Sequence, residues 1–271
     1  MKKVNRIITV LVFAFLYIPM IVLGVASFNA GKDIAVFKGF TFANYSNLFS
    51  DSALLGLLLN SLIIAVLSTV IATFFGTMAA VGIHGMNSKL RKAVMALTDI
   101  PMTNPDIVTG VALALLFAFV GMMLRIDNIL SFWTLLIAHI TFNLPYVILN
   151  VMPKLKQMDP DLEEAALDLG CTPFQAFIKV IVPEIMPGIL SGALMAFTMS
   201  LDDFVISYFV TGSDFITLPV EIYNYVKKPI QPKIYALFTL IFVVILALMV
   251  LMNLLQARSD RRQAPAQRRI K

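Results

Sequence analysis

The sequence predicts an all-α integral membrane protein with six transmembrane helices, and three observations carry that expectation. The 271-residue chain is 59% hydrophobic and only 14% charged, with mean hydropathy +0.87, outside the range of soluble globular domains. Residues 7–31, 52–88, 128–153 and 234–257 carry no charge, and each run exceeds the roughly 20 residues needed to cross hydrocarbon. Basic residues fall unevenly between alternate connecting segments. With the N-terminus placed inside, fifteen Lys and Arg lie on the inner side and six on the outer, so both termini are expected in the cytoplasm. This bias accounts for the net charge of +5, and no nucleic-acid partner is expected.

The six spans form one domain, 1–271, taken in order. The first covers about 7–28; its apolar run is longer than a signal-peptide core and Pro19 lies inside it without a small-x-small cleavage site, so it reads as a span. The outer segment 29–52 holds GFTFANYSNLF, an amphipathic stretch that would set Tyr45 and Phe49 at headgroup level. The second span, about 56–83, carries Gly76, Ala79, Ala80 and Gly82, small residues that let a neighbouring helix approach. The third, about 93–121, contains Pro101 and Pro105, each of which removes a backbone hydrogen bond. A break near 99–106 is expected there, facing a cavity or partner that satisfies the freed groups. The fourth, about 132–151, includes Asn143-Leu144-Pro145, a predicted kink. The fifth, about 187–210, carries two aspartates, and the sixth, about 234–256, is plainly apolar. The basic tail 257–271 reads as a cytoplasmic anchor beside anionic lipid. The single cysteine, Cys171, is expected as a reduced thiol, and no ligand spacing for a metal is present.

Between the fourth and fifth spans lies a polar loop, 152–186. Asp159 is a good helix N-cap with Pro160 at the first helical position. The helix DLEEAALDL then places acids early, where the macrodipole favours them. Gly170 is suited to stop it with positive φ. Thr172, Pro173 and Gln175 read as the start of a second helix with a capping box, and Pro183 and Pro187 as its end. Two short helices joined at Gly170 are therefore predicted.

Polar residues inside the spans are the remaining signal. An ionisable group there costs about 2.5–3.5 kcal/mol on insertion scales and faces a bundle interior or a wet path. The candidates are Asp99, Asp106, Asp202 and Asp203. On a continuous fifth helix, Ser200, Asp203 and Ser207 would share a face. On the fourth, His139, Asn143, Tyr146 and Asn150 form a polar stripe at helical spacing. Together these predict a water-accessible path lined with carboxylates, which favours a cation. The alternatives are that His139 and Asn143 bond neighbouring helices, that Asp99 is an interfacial cap, and that Asp106 caps a restarted helix. No nucleotide-binding GxxxxGK[ST] loop and no nucleophile–base set is present, so no catalytic residues are assigned.

The spacing Glu164-Ala165-Ala166, three residues, Gly170, nine residues, Val180-Ile181-Val182-Pro183 resembles the EAA loop of bacterial ABC importer permeases. Val180 and Val182 stand where the pattern has Ile and Leu. GFTFANYSNLF is similar to a stretch that precedes the core spans in the same superfamily. PDIVTGVALALLFAF, HITFNLPYVILNVMPKL and FTMSLDDFVISYFVTG look like the second permease of spermidine/putrescine importers. The resemblance implies a permease subunit of the bacterial inner membrane that moves polyamines by alternating access. It implies a second permease, two copies of an ATPase that bind the ATP and magnesium, and an extracytoplasmic substrate-binding protein. It also implies that Glu164, Ala165, Ala166 and Gly170 dock the ATPase. Importers of iron, thiamine, sulfate or aminophosphonate share this loop, and an ion-driven secondary transporter is the alternative of a different class.

Overall fold

The structure, a computed structural model, describes residues 2–31, 36–226, 231–247 and 250. Its regular structure among those residues is helical apart from one isolated bridge, Asn29–Phe40. The helices are α1 (Lys2–Ser27), α2 (Ala43–Phe49), α3 (Ser52–His84), α4 (Ser88–Thr103), α5 (Asp106–Leu124), α6 (Phe132–Gln157), α7 (Asp161–Asp168), α8 (Pro173–Ala176), α9 (Val182–Asp202), α10 (Val205–Val210), α11 (Leu218–Val226) and α12 (Pro232–Ala247). Among the described residues, five stretches are long and apolar enough to cross a membrane: Asn5–Ser27, Ser52–His84, Asp106–Leu124, Phe132–Gln157 and Pro173–Asp202. α12 is a shorter apolar helix within the expected sixth span; the far end of that span and the tail 257–271 lie outside the described residues.

Two expected spans are corrected. The third does not run from 93 to 121: α4 ends at Thr103, Asn104 is extended (φ −79°, ψ 137°), and α5 restarts at Asp106. Proline disfavours helical backbone in the residue before it, so Pro105 sets the break at Asn104, whereas Pro101 is carried inside α4. The fifth does not start at 187 or continue to 210. It runs from Pro173 through a π-helical turn, Phe177–Ile181, into α9, and stops at Asp202. Pro183 and Pro187 do not end the second loop helix; Pro183 sits in the first turn of α9 and Pro187 inside it. The wider π turn immediately precedes Pro183, where the α ladder would be interrupted.

The chain divides into two compact units, residues 1–56 with 223–271, and 57–222. In the first, the window of α1 that qualifies as a span has no buried residue, and its Met20 and Leu23 border an apolar pocket with Phe238 and Phe242 of α12. Below α1, Asn44 of α2 donates to the carbonyls of Ser27 and Asn29, both at 2.9 Å. Phe28 stacks on Phe40 at 5.0 Å. The GFTFANYSNLF stretch is thus a fastener whose Asn44 and Leu48 are buried while Phe49 stays exposed.

In the second unit α6 is central, with His139, Asn143, Val147 and Val151 buried along it. α3 and α9 reach it through glycines. A Cβ on Gly76 would lie 2.7 Å from the Val147 side chain, and one on Gly188 would lie 2.9 Å from the Asn150 carbonyl. Such close approach gives dispersion contact without a hydrophobic driving force, which lipid does not supply. The expected role of Gly76 is met, and Ala80 is fully buried, while Gly82 faces open space. Gly110 of α5 is held against Phe209 and Ile206 of α10 in the same way.

Candidate functional site: an acidic cleft and a projecting hairpin

The break between α4 and α5 and the break between α9 and α10 border one cleft of about 250 Å³ in the second unit. Its carboxylates are Asp106, Asp202 and Asp203, and Phe142, Tyr146 and Phe204 supply aromatic wall. Among its lining residues there is no Lys, Arg or His. Pro105 starts α5 and so places Asp106 in the first turn, at the positive end of the helix dipole. Asp202 is the last residue of α9 and is exposed. Asp203 is extended (φ −62°, ψ 119°). Its Oδ1 accepts from the Ile206 N–H at 3.2 Å and its Oδ2 from the Ser207 N–H at 2.7 Å. Asp203, the residue before the N-cap Phe204, therefore closes the first turn of α10 with its carboxylate.

The sequence-predicted residues separate into two groups. Asp106, Tyr146, Asp202 and Asp203 come together in the cleft. His139, Asn143 and Ser207 are at most 1% exposed and lie behind it. His139 contacts Ser200 and Ser207, and Ser200 contacts Ser68 of α3. The expected common face of Ser200, Asp203 and Ser207 on one helix is corrected, because α9 ends between them; His139 joins the two pieces instead. The polar stripe of α6 divides likewise: Tyr146 borders the cleft, and Asn150 donates back to the Tyr146 carbonyl at 2.8 Å. Asp99 lies in α4 and is not among the lining residues. Ser68 and Phe142 were not singled out from sequence. Phe142 sits one turn from Tyr146, a spacing that carries the signal; Ser68 is a lone hydroxyl in an apolar run and gives none.

The second feature is the hairpin α7–α8. The expected cap is corrected by one residue: Pro160 is the N-cap and α7 begins at Asp161, while Asp159 Oδ1 accepts from the Asp161 N–H at 3.1 Å as an Asx turn that leads into the helix. Gly170 has φ +87°. Thr172 and Gln175 form the predicted capping box at 3.2 and 3.3 Å. Glu164, Ala165 and Gly170 are exposed, whereas Ala166 is 6% exposed. Ala166 is thus buried, not on the open surface. Leu169 and Phe174, flanking the turn, are 87% and 74% exposed.

Residues 72–265 match the family described as binding-protein-dependent transport system inner membrane component. The chain is 38% identical over 249 residues to the spermidine/putrescine transport system permease protein PotC of Haemophilus influenzae, covering 92% of this chain and 95% of that protein. It is 37% identical over 236 residues to the putrescine transport system permease protein PotI of Escherichia coli, covering 87% and 84%. Among solved structures, a bacterial ABC transporter involved in import of the acidic polysaccharide alginate superposes with TM-score 0.74 at 17% identity, over 94% of each chain. The same alginate transporter in complex with a pentasaccharide-bound periplasmic protein gives 0.72.

Proposed function

This chain belongs to the family of inner membrane components of binding-protein-dependent transport systems, and from that membership we propose that it is the permease subunit of a polyamine ABC importer. The observation that carries the cargo reading is the cleft between the two helix breaks. Carboxylates Asp106 and Asp202 stand there beside Phe142, Tyr146 and Phe204, without an opposing basic side chain among the lining residues. A polyamine is a chain of methylenes punctuated by ammonium groups. Carboxylates neutralise the ammoniums, and aromatic faces accept both methylenes and cations. The transport names of PotC and PotI support the same cargo.

The chain supplies a path, not covalent chemistry. Energy comes from a partner ATPase that binds ATP and magnesium, seated on the α7–α8 hairpin through Glu164, Ala165 and Gly170, while Ala166 is buried. Because α8 passes through the π turn into α9, a displacement of the hairpin is transmitted along one continuous element to Asp202. A second permease completes the path and a periplasmic binding protein delivers the cargo. Both termini are on the cytoplasmic side. The test is uptake of radiolabelled spermidine by the reconstituted complex. Asp202→Asn and Asp106→Asn should each lower uptake about tenfold or more, the scale of one lost charge-assisted contact, with assembly intact. Normal uptake in both and in the double variant refutes the cleft as the path.

A further inference from the structure

With Asp203 as a carboxylate, the buried polar chain behind the cleft admits one arrangement of hydrogens for a neutral imidazole. Ser207 Oγ donates to Asp203 Oδ2 at 2.7 Å. Its single proton is thereby committed, so at its other contact, His139 Nε2 at 3.0 Å, it accepts. His139 carries its proton on Nε2, and Nδ1 accepts from the Ser200 hydroxyl at 2.5 Å. Ser200 in turn accepts from Ser68 at 2.9 Å. His139 Nε2 is 3.6 Å from Asp203 Oδ2, too far for a direct hydrogen bond, so Ser207 is the link. Ser200 precedes the α9–α10 break and Ser207 follows it. His139 touches both.

We propose that His139 is a positioning residue for the carboxylates of the cleft. By holding Ser200 and Ser207 across the break, it keeps the Asp203 carboxylate turned onto α10 as a cap and leaves Asp202, with Asp106, to meet the cation. The adjacent aspartates thus have different tasks. Asp203 is 9% exposed at its side chain and accepts three hydrogen bonds; Asp202 is exposed. A cap needs an acceptor and not a charge: Asn keeps one oxygen for the Ser207 N–H and hydroxyl and gives up only the longer Ile206 contact, whereas a partner for an ammonium needs the charge. The assignment of Asp202 and Asp106 rests on the cation-path reading; the hydrogen-bond order around His139 does not.

The experiment uses the full complex in proteoliposomes with radiolabelled spermidine. Asp203→Asn should keep at least about a third of uptake, while Asp203→Ala should fall about tenfold, as Asp202→Asn does. In parallel, nitrogen NMR of the histidine-labelled complex reads the ring directly. The chain has two histidines, so His84→Gln leaves His139 as its sole signal once the partners are left unlabelled. A neutral Nε2–H tautomer is expected, and Ser207→Ala should change its shifts. An Nδ1–H tautomer, an imidazolium, or a loss in Asp203→Asn as deep as in Asp202→Asn overturns the proposal. If Asp202→Asn and Asp106→Asn both transport normally, the cation path fails, and the imidazole signal still decides whether His139 positions Asp203.

Discussion

At the residue scale, two kinds of contact decide stability, and each makes a prediction. Gly188 is pressed against the backbone of α6, where an added Cβ would lie 2.9 Å from a carbonyl oxygen and 3.2 Å from the Val151 Cα. Backbone cannot rotate away, so Gly188→Ala should destabilise the protein by about 1–3 kcal/mol. Gly82 has nothing within 4 Å, and Gly82→Ala should not destabilise; thermal unfolding of the solubilised protein compares the two. Asp51 shows the other kind of contact. Its Oδ1 accepts from the Ala53 and Leu54 N–H groups at 3.1 Å and its Oδ2 from Lys233 Nζ at 2.7 Å. The bond to the Lys233 ammonium, followed by the Leu54 N–H, holds its carboxyl below the usual carboxylate range. A folded pKa below the unfolded value of about 3.9 stabilises fully above that value. The benefit is lost as pH falls through the folded pKa. Asp51→Asn should therefore be less stable than wild type by up to about 1 kcal/mol at neutral pH, and the difference in melting temperature should shrink as pH falls through and below the usual carboxylate range.

At the element scale, the hairpin α7–α8 was legible almost to the residue because its signals are local. An Asx turn at Asp159, a left-handed glycine at 170 and a capping box at Thr172 each involve neighbours within four residues. Gly170 has free space around its Cα but φ of +87°, so a side chain there is strained by about 1–2 kcal/mol through the backbone alone. Gly170→Asp and Glu164→Lys should each lower the fraction of ATPase that co-sediments with membranes, and undiminished co-sedimentation argues against docking at this hairpin. The long helices were less legible. Prolines mark where a helix is under stress, yet they do not say whether it stops. Pro105 stops one; Pro101, Pro145, Pro153 and Pro187 are carried inside helices. The difference lies in what neighbouring helices and local π geometry can do for the freed carbonyls, which no window of sequence contains.

At the scale of the whole molecule, the proposed orientation can be checked with the chain's own single cysteine. Cys171 sits at the turn of the hairpin and is partly accessible. A membrane-impermeant thiol reagent should label it only after cells are permeabilised; labelling in intact cells would place the hairpin outside. The membrane class, most of the spans and the α7–α8 hairpin were determined by sequence alone. Hydropathy, capping and charge asymmetry are properties of contiguous residues, and they retain their meaning before the chain folds. The carboxylates were visible too, but not their division of labour. Only the tertiary structure decided that α9 ends at Asp202, that His139 is buried beside Ser200 and Ser207, and that Asp106 meets Asp202 across two separate breaks. Those facts join residues far apart in the chain, and hydrogen bonding across helices, unlike periodicity, leaves no imprint at a fixed spacing.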